Sequence, residues 1–237
     1  LGLDQPVLTQ YARWFGSLLT GDLGGSIASG ETVGDAIRAG LPKTLSLAGL
    51  SFVLAIVIAV PAGILAALKR NGPVDYAASL LAFVGVSMPS FWFGIILILI
   101  FAVKLRWLPA VGYAEIGEDG VWEWFRRLIL PSLAIGAGYA AIVMRFVRAG
   151  LLESLGSDYV RTARAKGLPA TRVVLGHALR NAMIPLVTVA GIQLALLLSG
   201  AVVIETVFSI RGIGRILVGA IFDRDYPMVQ GVILLIS

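Results

Sequence analysis

The chain has 237 residues, of which 58% are hydrophobic and only 14% are charged. A soluble domain is typically about 25% charged, so the composition indicates an integral membrane protein. The lack of cysteine excludes disulfides and thiolate metal sites, and the single histidine excludes a cluster of imidazole ligands. The net charge of +5 fits basic residues at a membrane–water boundary, so no nucleic-acid partner is predicted.

The N-terminal part of the chain predicts a segment outside the membrane followed by a first span. Residues 1–43 are mixed in polarity and rich in glycine, and no stretch among them is long enough to cross a bilayer. Residues 44–68 are 25 consecutive uncharged residues. As a helix they would extend about 37 Å, enough to cross about 30 Å of hydrocarbon with some tilt.

The second uncharged run, residues 76–103, contains an interruption with two interpretations. The sequence Ser-Met-Pro-Ser-Phe-Trp at 87–92 breaks an otherwise aliphatic helix. It is either a kink packed by neighbouring helices or a break that lines a translocation path, since irregular backbone is tolerated at depth where it faces protein or water. The second interpretation makes path candidates of Ser87, Pro89, Ser90 and Trp92.

Two further spans and a partial one follow. Residues 104–127 are polar with aromatic interruptions and predict a loop on the membrane surface. The third span, 128–144, runs into Arg145 and Arg148, whose side chains either snorkel to the interface or contact a partner subunit.

The fourth span, 182–204, has Gln193 as its only strongly polar side chain. That amide either bonds a neighbouring helix or faces the translocation path. A polar loop at 205–225 precedes residues 226–237, which begin a fifth span and end before it could cross. The prediction is therefore four complete spans and a truncated fifth.

The polar stretch 158–185 predicts two short helices joined by a turn. Ser157 is placed to cap the first helix, with Asp158 in its first turn, where the helix dipole favours an anion. Gly167 stands where a left-handed C-terminal residue belongs, and Pro169 suits the first position of the second helix.

The second of these helices is predicted to have an apolar face and a polar face. Spacings of three and four residues group side chains on one side of a helix. By that rule the apolar face carries Leu175, Leu179 and Ala182, and the polar face carries Arg172, Gly176 and Arg180.

Three kinds of chemistry are disfavoured by what the sequence lacks. No lysine follows a glycine, so the chain has no P-loop for ATP. His177 lies in the polar stretch, away from membrane depth, which argues against an intramembrane serine protease. No acid lies within the four complete spans, whereas proton-driven carriers usually keep ionisable residues there.

The polar stretch also resembles a known family. Arg161-Thr162-Ala163, followed after three residues by Gly167, is similar to the coupling loop of ABC importer membrane subunits. RTARAKG followed by HALRNAMIP resembles the dipeptide, oligopeptide and nickel-type permeases. The general pattern has Glu-Ala-Ala where Arg161-Thr162-Ala163 stands, and Ile184-Pro185 comes several residues later than its counterpart. Both departures match the peptide-type branch.

The resemblance implies an all-α membrane protein, a polytopic helical bundle of the type I ABC importer permease kind. Six spans are expected in the full protein, so the chain is expected to be a fragment. The resemblance makes 153–181 cytoplasmic coupling helices and places 1–43, 104–127 and 205–225 outside. The basic residues are denser on the coupling-loop side and most acids lie on the other, which favours the same orientation.

The same resemblance implies roles for individual residues. The residues expected to contact an ATPase are Arg161, Thr162, Ala163, Gly167, His177, Arg180 and Asn181. In the outer loop, the expected contacts of an external binding protein are Arg211, Gly212, Asp225 and Tyr226. No catalytic or metal-binding residue is expected.

The function implied is that of a non-catalytic permease in a bacterial or archaeal inner membrane. Its expected partners are a second homologous permease, two ATPase subunits, an external binding protein and the lipid bilayer. ATP and magnesium belong to the ATPases, and no cofactor is expected on this chain. The substrate stays open among peptides, metal chelates and sugars. The alternative function is a secondary transporter or channel without ATPase partners.

Overall fold

The computed structural model describes residues 5–236, apart from the side chains of residues 185, 193 and 195–200. This part of the chain is built from helices, with an isolated bridge between Gly25 and Thr32. In chain order the α-helices are α1 (Val7–Leu19), α2 (Val33–Leu68), α3 (Pro73–Ser87), α4 (Ser90–Leu97), α5 (Ile116–Leu155), α6 (Asp158–Ala165), α7 (Ala170–Arg172), α8 (Leu179–Val207), α9 (Ile213–Phe222) and α10 (Tyr226–Ile236). Two π-helical stretches, Ile98–Lys104 and Val173–Ala178, extend α4 and join α7 to α8.

Within the described residues, two helices are long and apolar enough to cross a membrane alone, namely α2 and α5. Two bent pairs meet the same test together. One is Pro73–Ser87 with Ser90–Lys104, bent by 107°, and the other is Ala170–Ile184 with Leu186–Ile192, bent by 47°. If each bent pair is one span the total is four, as the sequence predicts.

Helix α2 begins eleven residues before the predicted span, inside the segment 1–43. The Thr32 hydroxyl accepts a hydrogen bond from the Asp35 backbone N–H at 3.1 Å and donates one to the Asp35 carboxylate at 2.7 Å. This pair of contacts caps the first turn, where the backbone N–H groups have no helical partner. Helix α1 occupies Val7–Leu19 of the same segment.

Both loops predicted between spans contain helix. Helix α5 begins at Ile116, because Asp119 accepts a hydrogen bond from the Glu115 N–H at 3.0 Å, and it bends at Gly120, whose φ is +84°. The predicted loop 104–127 is therefore non-helical at 105–115 and at the bend at Gly120. The predicted loop 205–225 likewise includes α9.

The predicted break in the second span is present. Met88 and Pro89 adopt extended conformations between α3 and α4, with ψ angles of 129° and 132°. Proline has no N–H to donate and drives the residue before it out of helical geometry. The side chains of residues 87–92 therefore lie at a corner of 107° rather than along a straight helix.

Helices α2 and α5 form the centre of the bundle and approach each other closely. A Cβ atom at Gly63 would lie 2.8 Å from both the Met144 carbonyl oxygen and the Val147 Cβ atom. A Cβ atom at Gly136 would lie 2.9 Å from the Ser51 carbonyl oxygen. Small residues allow such backbone contact between membrane helices, so α2 and α5 are held together over much of their length.

Candidate functional site

The coupling segment, which we define as residues 158–181, is a short helix, a turn and the start of a long helix. The turn is at Gly167, whose φ of +76° is left-handed as predicted. Its N–H donates to the Arg164 carbonyl at 2.9 Å, and the Leu168 N–H donates to the Ala163 carbonyl at 3.4 Å. These bonds satisfy carbonyl groups left free at the end of α6.

The ends of the two helices fall close to their predicted positions. Ser157 is the N-cap of α6 by its extended backbone, and Asp158 is in the first turn. The Ser157 hydroxyl donates to the Ser154 carbonyl, so it makes no side-chain cap. Pro169 is the N-cap of α7, one residue before the predicted position, because its ψ of 145° is extended.

The coupling segment packs one face inward and leaves the other open. Val160 and Ala163 of α6 pack with Val173 and Ala178 of the second helix against Leu151 near the end of α5. Ala163 is only 7% exposed, so its side chain faces the bundle and not a partner. The other residues predicted to contact an ATPase are exposed, namely Arg161, Thr162, Gly167, His177, Arg180 and Asn181.

The predicted apolar face of the second helix is wrong at Leu175. Its side chain is 57% exposed, whereas Val173, Val174 and Ala178 are buried. The cause is the π-helical stretch Val173–Ala178, in which hydrogen bonds reach five residues instead of four. The wider turn shifts which positions share a side of the helix. The result is an exposed leucine among the basic side chains of the coupling segment.

The two parts of the coupling segment are also joined by Tyr159 and Asn181. The Asn181 side chain forms a hydrogen bond with the Tyr159 phenol, and this bond is the main reason why the pKa of that phenol lies below its usual value. Burial of the ring opposes the effect. Asn181 thus has a partner inside the chain, and Tyr159, which the sequence did not single out, is part of the segment.

The side chain of Arg148 forms an ion pair within the chain, a contact that neither interpretation from the sequence included. Its Nε and Nη2 atoms donate to the two carboxylate oxygens of Asp75 at 2.6 and 2.7 Å. Asp75 also accepts the Asn71 backbone N–H at 2.9 Å, and its side chain is 5% exposed. Arg145, three residues earlier, is exposed.

An apolar groove of about 730 Å³ runs between α2, α3 and α5 and reaches the break after α3. Its lining includes Ala59, Ala78 and Met144, together with Met88 and Ser90 at the break. Among the path candidates, Ser90 lines the groove, whereas Ser87, Pro89 and Trp92 are exposed at the corner. The side chain of Gln193 lies outside the described residues.

At the other end of α8, the carboxyl group of Glu205 is fully buried. The Thr44 hydroxyl of α2 donates to its Oε1 at 2.6 Å, and the Arg215 N–H of α9 donates to its Oε2 at 2.9 Å. The Thr44 oxygen also accepts the Ile213 N–H at 2.9 Å. Glu205 and Thr44 therefore cap the start of α9 and join α2, α8 and α9.

Asp225 ties the N-terminal segment to the corner between α9 and α10. Its carboxylate accepts hydrogen bonds from the Ser26 hydroxyl, the Ile27 N–H and the Met228 N–H. Burial alone would raise the pKa of Asp225, but these hydrogen bonds outweigh it, and the pKa lies below its usual value. Asp225 is only 3% exposed, so it is a structural anchor for residues 22–32.

The outer loop borders a polar cleft of about 350 Å³. Arg211 lines the cleft and pairs with Glu31 at 2.8 Å. Tyr226 is 66% exposed beside Asp225. Gly212 is the N-cap of α9 and lies against Glu205. Within the described residues, no three His, Asp or Glu side chains are grouped so as to hold a metal ion.

Comparison with known proteins identifies the family to which the chain belongs. Residues 59–237 match the family described as binding-protein-dependent transport system inner membrane component. The chain belongs to this family of membrane transport proteins. A probable peptide ABC transporter permease of Sinorhizobium fredii is 42% identical over 237 residues, covering 100% of this chain and 75% of the relative. A glutathione transport system permease of Escherichia coli is 45% identical, covering 100% and 74%.

Solved structures show the same fold for this permease. One described as an inward-facing conformation of the MetNI methionine ABC transporter has a TM-score of 0.67 at 20% identity, covering 84% of this chain and 87% of that one. An amino acid ABC transporter has a TM-score of 0.57 at 18% identity, covering 85% and 86%. The permease is therefore an all-helical bundle of the type I ABC importer kind. The family match and the ABC and glutathione permease relatives support ATP-driven import over secondary transport.

The lowered pKa of Asp225 predicts how its contribution to the stability of the permease depends on pH. Because its pKa is lowered in the folded chain, its contribution to stability is complete above its usual pKa of about 4 and is lost as the pH falls through the folded value. At neutral pH, Asp225→Asn should weaken the anchoring of residues 22–32 by about 1–3 kcal/mol, because buried donors lose their charged acceptor. Hydrogen–deuterium exchange of residues 22–32 measures the effect.

The control for that prediction is Asp223→Asn, which removes the same charge from an exposed position two residues away. It should leave exchange in residues 22–32 at the wild-type rate. Equal exchange in the Asp225 variant and the wild type would show that this carboxylate does not anchor the segment.

Proposed function

We propose that this chain is one of two membrane subunits of an importer that moves peptides or related small solutes into a bacterial or archaeal cell. The observation that carries the proposal is the coupling segment, an inward-packed helix–turn–helix whose basic face is open. The substrate class is proposed from the names of the relatives, which are a peptide and a glutathione permease.

In the proposed mechanism this chain hydrolyses nothing itself. Two ATPase subunits bind ATP and magnesium on the cytoplasmic side, and the coupling segment of each permease sits in a groove of one ATPase. When the ATPases close, the segment moves with them. Because α5 enters the segment and α8 leaves it, both long helices move together, and the path opens to the outside.

The outer surface is proposed to receive an external binding protein. Arg211 and Tyr226 are exposed there, beside the polar cleft at the start of α9. Asp225 and Gly212 support this surface from below, since both are engaged in contacts inside the chain. Release of the solute from the binding protein then delivers it to the path, which we place at the α3–α4 break and the groove beside it.

Affinity purification of the full-length protein tests the proposal. The protein would be expressed with its native neighbours, extracted in detergent and analysed for partners by mass. We expect an ATP-binding cassette subunit and a second permease to copurify. Recovery of this chain with no nucleotide-binding partner would contradict the proposal and favour a secondary transporter or channel.

A charge reversal tests the coupling segment in the same preparation. Arg161 is exposed on α6, with only a loose pairing to Asp158 at 3.6 Å. We expect Arg161→Glu to reduce recovery of the ATPase by roughly tenfold, because the reversed charge repels an interface built for a cation. Arg13→Glu, an equal charge change on exposed α1, should leave recovery unchanged. Equal recovery of the ATPase with both variants would show that Arg161 is not part of the interface.

A further inference from the structure

We propose that Asp75 and Arg148 are positioning residues that carry movement of the coupling segment to the α3–α4 break. The inference rests on the proposed function, because it concerns how ATPase closure reaches the translocation path. It assigns a role to an ion pair that neither the family match nor the sequence interpretation singled out.

The pair joins α3 and α5 at one defined point. Asp75 lies in the first turn of α3, and Arg148 lies seven residues before the end of α5. Both carboxylate oxygens are engaged by the guanidinium, at 2.6 and 2.7 Å, and the Asn71 N–H holds one of them from the turn before α3. A bidentate pair fixes direction as well as distance.

The remaining contact between α3 and α5 is of a different kind. A Cβ atom at Gly85 would lie 3.3 Å from the Ala137 carbonyl oxygen and 3.3 Å from the Ala141 Cβ atom. Ala82 of α3 is buried against the same part of α5. These contacts bring the two helices close together, but they are apolar and include no directional bond. The ion pair therefore supplies the specific attachment at the start of α3.

The two helices lead from this attachment to two different places. Helix α5 ends at Leu155, and α6 begins at Asp158, so Arg148 is directly connected to the coupling segment. Helix α3 ends at Ser87, where the chain turns by 107° into α4. The apolar groove lies between the same helices and extends from Val74, next to Asp75, to Ser90 at the break.

The Asp75 carboxylate is buried, and its oxygens have partners. Asp75 is 3% exposed, and a charged group at that depth is tolerated when its oxygens are paired and hydrogen-bonded. Replacing Asp75 by asparagine removes the charge and leaves the guanidinium of Arg148 without its ion-pair partner. The start of α3 is then free to lag behind α5 when the coupling segment moves.

The experiment uses a reporter cysteine, and these 237 residues contain no other cysteine to compete for the label. Val86, next to the break, is 49% exposed and borders the groove. Val86→Cys would be introduced into the full complex, and its rate of labelling by a maleimide would be compared without nucleotide and with ATP and vanadate. Transport per ATP hydrolysed would be measured in the same preparations.

In otherwise wild-type complex we expect ATP and vanadate to change the labelling rate by at least about fivefold, the lower end of typical coupling between sites. With Asp75→Asn the change should disappear, and transport per ATP should fall on the order of tenfold. Asp75→Glu, which keeps the carboxylate, should retain part of the change in labelling rate and part of the transport per ATP. Arg145→Gln, which removes an exposed charge one turn away, should behave as wild type.

The outcomes separate this inference from the proposed function. If the Asp75→Asn complex retains its ATPase and keeps the full nucleotide-dependent change in labelling rate, the role of the ion pair is overturned. The role would also be overturned if Asp75→Asn lost the nucleotide-dependent change in labelling and Asp75→Glu recovered none of it. A general folding defect would then explain the loss. Absence of any ATPase from the wild-type preparation would instead overturn the proposed function.

Discussion

Gly212→Ala is expected to destabilise the folded permease by about 3 kcal/mol, since overpacking and broken buried hydrogen bonds add together. The new Cβ atom would overlap the Glu205 carboxyl group and lie 2.6 Å from the Thr44 hydroxyl oxygen. Neither neighbour can move freely, because Thr44 holds Glu205 at 2.6 Å and Glu205 also accepts the Arg215 N–H. The start of α9 should detach from α2 and α8.

Thermal unfolding of the purified permease in detergent measures this effect. The control is Gly219→Ala, the same change within α9 at a position where no atom lies within 4 Å of the new Cβ. Alanine favours a helix over glycine by up to about 1 kcal/mol, so the control should unfold at an equal or higher temperature. If the two variants unfolded at the same temperature, the packing of Gly212 against Glu205 would not contribute to stability.

Gly167→Val is expected to abolish ATP hydrolysis coupled to transport while leaving membrane insertion intact. Nothing lies within 4 Å of a Cβ atom at Gly167, so the obstacle is its left-handed backbone alone, with φ at +76°. That conformation costs an L-residue about 1–2 kcal/mol, and a β-branched side chain suffers most. The turn should open, and α6 should leave its inward packing on Leu151 and Val173.

Asparagine provides the matched variant at the same position, because it adopts the left-handed conformation more readily than other residues with a side chain. We expect Gly167→Asn to retain most of the coupled ATP hydrolysis measured in reconstituted vesicles. If valine and asparagine impaired coupling equally, the requirement at this position would be for a small surface against the ATPase. If neither impaired it, the turn would not be needed.

The sequence was informative wherever local rules decide the structure. Long uncharged runs predicted the spans because a bilayer excludes charge over a fixed thickness. Pro89 predicted the corner between α3 and α4, and Gly167 predicted the turn in the coupling segment, because each residue restricts or permits backbone angles by itself. Helix starts at Val33 and Ile116 were missed although Thr32 and Asp119 are local capping signals.

The coupling segment shows the limit of periodicity. The sequence correctly placed two helices there, but the assignment of Leu175 to a buried face assumed a regular helix. A π-helical stretch depends on how a segment packs against its neighbours, here α5 and α6. No residue in that stretch identifies it in advance, so the exposed leucine was visible only in the structure.

By itself, the sequence determined that the protein is a helical membrane protein, where its long uncharged runs lie, and which family its coupling loop resembles. These properties follow from composition, from local backbone preferences and from short motifs. Only the tertiary structure decided which buried charges have partners. Asp75 pairs with Arg148 from 73 residues away, Glu205 with Thr44 from 161, and Asp225 with Ser26 from 199. Contacts over such separations depend on how whole helices pack, and a local sequence pattern does not specify that packing.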